Sequence, residues 1–202
     1  MVSNRQATWQ ATGIATQPII FQSGLAGQHQ GDNAAVALMA FQQLMMRLGK
    51  ADEIDWQRLG KALATTYWAG RMELMQANPA IYLDGAHNAA GLATVQDFVQ
   101  QELHDYEVTL LYAGLKRKHQ ELLVPLLQRM PVKQVWLTTF EADGAMTAGD
   151  WQLLAPDCSY YPDWCQARQA FESQVYQANK PQALIITGSL YFIAEVRAQM
   201  IA

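Results

Sequence analysis

Charge, cysteine and basic clusters are all scarce in this sequence, and each shortage removes a class of function. Charged residues are 16% of 202 positions while 50% are hydrophobic; an average globular chain carries roughly 25% charge. That balance excludes a disordered, solvating chain and suits a buried core. The formal charge is −4 and no stretch clusters Lys and Arg enough to track a phosphate backbone, so no nucleic-acid partner is expected. No apolar run reaches the roughly 18 residues of a membrane span, and Met1–Gln10 is too polar for a signal peptide, so no membrane partner is expected either. Cys158 and Cys165 are the only cysteines. Their spacing fits no metal knuckle and makes no disulfide framework, which implies free thiols in a reducing cytoplasm. Several motifs are also missing. Gly49-Lys50 and Gly60-Lys61 lack the rest of a phosphate-binding loop, and there is no G-x-G-x-x-G, H-E-x-x-H, paired C-x-x-C or G-x-S-x-G.

What remains has a clear rhythm. A strand-like run at Pro18–Phe21 is followed from Asn33 by Ala34, Leu38, Phe41, Met45 and Leu48 at helical spacing. A second helix is expected over Asp55–Tyr67, capped by Asp55. After Gly70 strands alternate with helices. Strands are expected at Ala80–Asp84, Glu107–Ala113, Gln134–Phe140 and Gln182–Thr187. Between them fall a helix capped by Asn88 with Leu92, Val95, Val99 and Leu103 inward, and one carrying Leu122, Leu123, Leu126, Leu127 and Met130. Further helices cover Asp163–Ala178 and, capped by Ser189, Leu190–Met200; residues 141–162 read as irregular. Such alternation implies an α/β fold: a Rossmann-like, mostly parallel sheet of right-handed βαβ units with helices on both faces. Ligands of such sheets sit beyond the carboxyl ends of the strands, which singles out residues 84–88, 114–118, 138–140 and 188–189.

Four segments on or near that rim can carry chemistry. In Leu83-Asp84-Gly85-Ala86-His87-Asn88, a carboxylate ends a buried strand and can accept hydrogen bonds from vicinal ribose hydroxyls, while the following helix start offers N–H groups to an anion. The same letters also describe an ordinary Asp-Gly turn with an Asn cap, and His87 an ordinary loop histidine. Arg71, in Trp68-Ala69-Gly70-Arg71-Met72-Glu73, suits a phosphate at a domain junction, or a salt bridge with Glu73. Asn33, after a Gly-bounded loop, can read a base edge, unless Asp32 or Asn33 simply caps the helix. Ser189 sits at another strand-to-helix switch, where a cap and a substrate contact can coexist.

Taken in order, Gly27-Gln28-His29-Gln30 with Asn33-Ala34-Ala35, Gly70-Arg71, Leu83-Asp84-Gly85-Ala86-His87-Asn88 and Thr187-Gly188-Ser189-Leu190-Tyr191-Phe192 resemble the folylpolyglutamate synthase and dihydrofolate synthase family of the Mur ligases, over residues 24–197. The resemblance implies that residues 1–67 are a helical remnant from the end of a central ATP-binding domain and 68–202 a Mur-ligase-type C-terminal domain. It implies a cytoplasmic ligase, monomeric when complete, whose small-molecule substrates are a folate, glutamate and ATP. The folate γ-carboxylate would be activated as an acyl phosphate, with dihydrofolate synthesis a further activity. By resemblance Asn33 contacts adenine, Arg71 the phosphates and Asp84 the ribose, while His87 and Ser189 are catalytic positions. Mg²⁺ is implied too, with its ligands and the phosphate-binding loop in a part not present, so these residues alone would be inactive. Ala69 and Ala89 stand where the family has proline. Lys116-Arg117-Lys118-His119 replaces a loop with two acidic positions, which puts a substrate role for that loop in doubt and leaves Lys116 a weak candidate. Two rivals stay open: another Mur-type amino-acid ligase, and a non-catalytic nucleotide-binding module.

Overall fold

The structure is a computed structural model that describes residues 6–9 and 19–202. It divides into two compact units, residues 1–68 and 69–202. Within the first, strands β1 (Gln6–Trp9) and β2 (Ile19–Gln22) pair antiparallel, so this unit is not purely helical. Pro18, expected at the head of the strand, lies outside the described residues. Helices α1 (His29–Arg47) and α2 (Trp56–Ala64) follow, and the core is Phe21, Ala34 and Leu38 packed by Trp56, Leu59 and Leu63. Asp55 caps α2 by accepting from Arg58 N–H. Helix α1 begins four residues before Asn33, so neither Asp32 nor Asn33 caps it; Leu48, expected inside, follows its end and is exposed.

The second unit carries a six-stranded sheet: β3 (Glu73–Ala77), β4 (Ala80–Asp84), β5 (Glu107–Ala113), β6 (Gln134–Leu137), β7 (Ser159–Tyr160) and β8 (Gln182–Gly188). Their order is β3-β4-β8-β5-β6-β7, parallel throughout except for the antiparallel edge pair β3–β4. Helices α3 (Ala89–Glu102), α4 (Gln120–Gln128), α5 (Ala148–Leu154), α6 (Trp164–Val175) and α7 (Leu190–Ile201) complete it. Strand β8 is buried along its whole length, which is why its centre, residues 183–186, reads as an apolar run. One side of the sheet, including Ile81, Leu83, Leu111 and Ile186, packs on Trp164 and Phe171 of α6 and Phe192 and Val196 of α7. The alternate residues face the other way: Tyr82 meets Phe98 of α3 edge-on and Tyr112 meets Trp151 of α5. Each such side chain removed from water contributes roughly 1.5–3 kcal/mol.

Three details differ from expectation. Strand β6 stops at Leu137: Thr138 N–H still donates to Tyr112 carbonyl (3.0 Å), but its own carbonyl accepts from Trp151 Nε1 (3.0 Å) and its hydroxyl donates to Tyr161 carbonyl (2.9 Å). In α4 the inward residues are Leu123, Val124 and Leu127, while Leu122 and Leu126 point outward. The stretch read as irregular holds α5, started by a capping box between Thr147 and Asp150, and the two-residue β7.

Candidate active site

Three parallel strands end level with one another. Asp84 of β4 pairs with Thr187 of β8, and Tyr112 and Ala113 of β5 pair with Thr187 and Gly188. The chain leaves each strand at this rim, so the side chains just beyond the strand ends converge there.

Asp84 is buried and works on the backbone. Its Oδ1 accepts from Ala86 N–H (2.9 Å) and its Oδ2 from Met72 N–H (3.0 Å). The first bond shapes the Asp-Gly turn; the second reaches across to the segment before β3. Arg71 lies in that segment between two left-handed residues, Gly70 (φ 67°) and Met72 (φ 44°). Gly85 N–H donates to Gly70 carbonyl (2.8 Å), holding the segment against the turn. A methyl group on Gly85 would stand 3.1 Å from Arg71 Nη1 and overlap Leu190 Cδ2, so glycine is needed for this close approach and the guanidinium lies beside the Asp84 turn. The alternative of an Arg71–Glu73 salt bridge does not hold: Glu73 pairs with Arg197 (2.9 Å).

His87 Nδ1–H donates to Gly85 carbonyl (2.8 Å), since a carbonyl only accepts. In the neutral ring that fixes Nε2 as the acceptor. Asn88 caps α3 by accepting from Gly91 N–H (2.8 Å). Ser189, 5% exposed, donates its backbone N–H to Ala113 carbonyl (2.9 Å), and its hydroxyl accepts from Tyr191 N–H (3.3 Å) as the cap of α7. His87 and Ser189 line a pocket of about 140 Å³ together with Tyr112, Gln120, Leu190 and Tyr191.

Tyr112 and Gln120 were not legible as pocket residues. Tyr112 hydroxyl donates to Gln120 Oε1 (3.0 Å), and Gln120 Nε2 donates to Leu115 carbonyl (2.9 Å). Burial pushes the Tyr112 phenol up to about 12, opposed by its bond to Gln120. The one available signal was position: a tyrosine at the end of a buried strand, eight residues before a glutamine opening a helix. Arg117 and Lys118 also line the pocket, whereas Lys116 turns away to Asp150 (2.8 Å). Asn33 belongs to the first unit, where its amide donates to Gln30 Oε1 (3.0 Å). Among the described residues, no group of three or more His, Cys, Asp or Glu is placed to hold a metal ion.

The Lys116 contact predicts a pH response. The Lys116 ammonium, then the Thr147 hydroxyl and N–H, hold the Asp150 carboxyl at about 2, against an ordinary 3.8. A depressed carboxyl pKa stabilises the fold fully above the ordinary value and loses that contribution as pH falls toward about 2. Lys116→Met is expected to move the Asp150 carboxyl back upward, as read by a carbon-detected NMR titration. An unchanged midpoint would show that Thr147 alone sets it.

A mostly parallel sheet with helices on both faces and a polar rim at its carboxyl ends defines a Rossmann-like α/β domain. Residues 69–199 match the family model described as dihydrofolate synthetase, C-terminal domain, and the chain belongs to that family. It is 27% identical over 183 residues to the dihydrofolate synthase/folylpolyglutamate synthase of Bacillus subtilis, covering 89% of this chain and 41% of that relative. Against the folylpolyglutamate synthase of Lacticaseibacillus casei it is 24% identical, covering 88% and 40%. The Mycobacterium tuberculosis folylpolyglutamate synthase solved with ADP and AMPPCP shares the fold at a TM-score of 0.73 and 20% identity, covering 98% of this chain and 48% of that one. The chain thus spans less than half the length of these relatives. No described helix is long and apolar enough to cross a membrane.

Proposed function

We propose that this chain is the C-terminal part of an ATP-dependent carboxylate–amine ligase that joins glutamate to the γ-carboxylate of a folate, working in the cytoplasm with Mg²⁺. Residues 1–67 then belong to the central ATP-binding domain, and the metal ligands lie in parts of the protein beyond this chain. One observation supports the reading most: the Arg71 guanidinium lies beside the turn that begins at buried Asp84, inside a domain of the folate-ligase family. A guanidinium offers donors in the fork geometry that phosphate oxygens match, and a neighbouring carboxylate suits ribose hydroxyls. A carboxylate has about four acceptor sites, so Asp84 can accept from ribose hydroxyls alongside its bonds to Met72 and Ala86 N–H. These residues therefore fit a nucleotide. ATP supplies the phosphoryl group that activates the carboxylate.

The chain's own residues have separate duties in this reading. Within the second unit Arg71 binds phosphate and Asp84 the ribose. His87, held by Gly85 carbonyl with Nε2 as the acceptor, takes a proton from the incoming amine. Ser189, buried in the pocket wall, orients the amino acid. The test is ligation by the complete protein with ATP, Mg²⁺, labelled glutamate and either tetrahydrofolate or dihydropteroate. ADP and a γ-glutamyl product with tetrahydrofolate are expected, and turnover of dihydropteroate would add dihydrofolate synthesis. Ligation only to a muropeptide precursor would favour another Mur-type ligase, and nucleotide binding without ligation a non-catalytic module.

A further inference from the structure

We propose that Glu73 and Arg197 are positioning residues for Arg71, coupling the phosphate contact to helix α7; the proposal rests on the reading of Arg71 given above. Arg71 sits in no helix or strand. Its orientation depends on the peptide groups on either side, and both flanking residues are left-handed. That conformation costs an ordinary residue such as Met72 about 1–2 kcal/mol, so it persists only where the surroundings hold it. Each flanking N–H is taken by a buried carboxylate: Met72 by Asp84 (3.0 Å) and Gly70 by Glu73 Oε2 (2.8 Å).

Asp84 belongs to the rim itself; Glu73 does not. Its side chain is 7% exposed, and a carboxylate that deep in the protein is costly unless paired. Arg197 Nε reaches both oxygens, at 2.9 and 3.1 Å. Without Arg197, the Glu73 carboxylate would have to swing toward water to be solvated, and that movement breaks its hold on Gly70 N–H. Helix α7 touches the same turn a second time, since a methyl group on Gly70 would stand 3.0 Å from Ile193 Cγ2. Ile193 and Arg197 are one helical turn apart, so a single face of α7 supports the segment that presents Arg71.

A pair that merely fastened β3 to α7 would alter stability without touching one substrate selectively. The experiment is therefore a double-mutant cycle in the complete ligase, with ATP, glutamate and folate varied separately. Arg197→Met is expected to raise KM for ATP roughly ten-fold, the scale of a small misplacement of a binding group, while KM for glutamate stays within two-fold. The double variant R71A/R197M should be no worse for ATP than R71A alone. Adding Glu73→Gln to R197M should recover most of the ATP affinity, because a neutral amide still accepts from Gly70 N–H and needs no counter-ion. Should R197M fail to fold, E73Q/R197M replaces it in the cycle and must then show the same non-additivity with R71A. Multiplicative effects, or an unchanged KM for ATP in folded R197M, would overturn the positioning role while leaving Arg71 as the phosphate contact. An unchanged KM for ATP in R71A would instead remove the contact on which the proposal rests.

Discussion

On the proposed reading, Arg71→Ala in the complete protein is expected to lower kcat/KM for ATP by about 10²–10³-fold, the loss typical of removing one preorganised donor from developing charge. The unfolding midpoint should barely change. Arg71 is only half-buried and makes no ion pair among the described residues, whereas Glu73 spends its charge on Arg197. A guanidinium held at a rim without a partner does little for the fold and has its donors available to an anion. Arg71→Lys should recover only part of the loss, because an ammonium is a point charge without the planar fork. Steady-state kinetics with ATP varied, beside a calorimetric titration with a non-hydrolysable analogue, would measure both. If R71A kept the parental ATP parameters, the phosphate would have to be bound elsewhere.

Gly188→Ala is expected to be the most damaging small substitution in the second unit. Gly188 sits at φ 122°, a backbone region closed to ordinary side chains, and an added methyl would run into the carbonyl of Ala113 on the neighbouring strand. That carbonyl is fixed, because it accepts Ser189 N–H (2.9 Å). Either β8 separates from β5 at the rim or the strand end bends. A cost above about 4 kcal/mol is expected, in the range reserved for strain with no room to relax. The thermal midpoint should fall by roughly 10 °C or more, with loss of soluble expression as the first symptom. A variant that unfolded within two degrees of the parent would mean that the rim is far softer than its register suggests.

The sequence exposed much of this architecture because its signals are local. Asp55, Asn88, Asp163 and Ser189 each precede a helix and each accepts a backbone N–H as its cap. The buried strands β4, β5 and β8 stand out by their short, mostly apolar runs. Strand β3 was missed because a five-residue edge strand with Leu74 exposed has neither a full alternation nor a buried run. Helix α5 was missed although Thr147 and Asp150 form its capping box, since glycines and a short apolar face obscured the period. At the site, residue types at strand ends were readable, while partnerships were not. Glu73 and Arg197 are 124 positions apart, and only the packing of α7 brings them together. The Tyr112–Gln120 bond likewise needs β5 and α4 already in place.

The position of β8 sets an order of events during synthesis. Among the described strands of its sheet it is made last, yet it lies between β4 and β5, which have no direct pairing with each other. Until residues 182–188 leave the ribosome, β4 and β5 each present an open edge with a strand's worth of unmet N–H and C=O groups. The nascent chain must therefore carry two unsatisfied halves side by side, and a pause or premature stop late in translation would leave a sticky intermediate rather than a smaller folded domain.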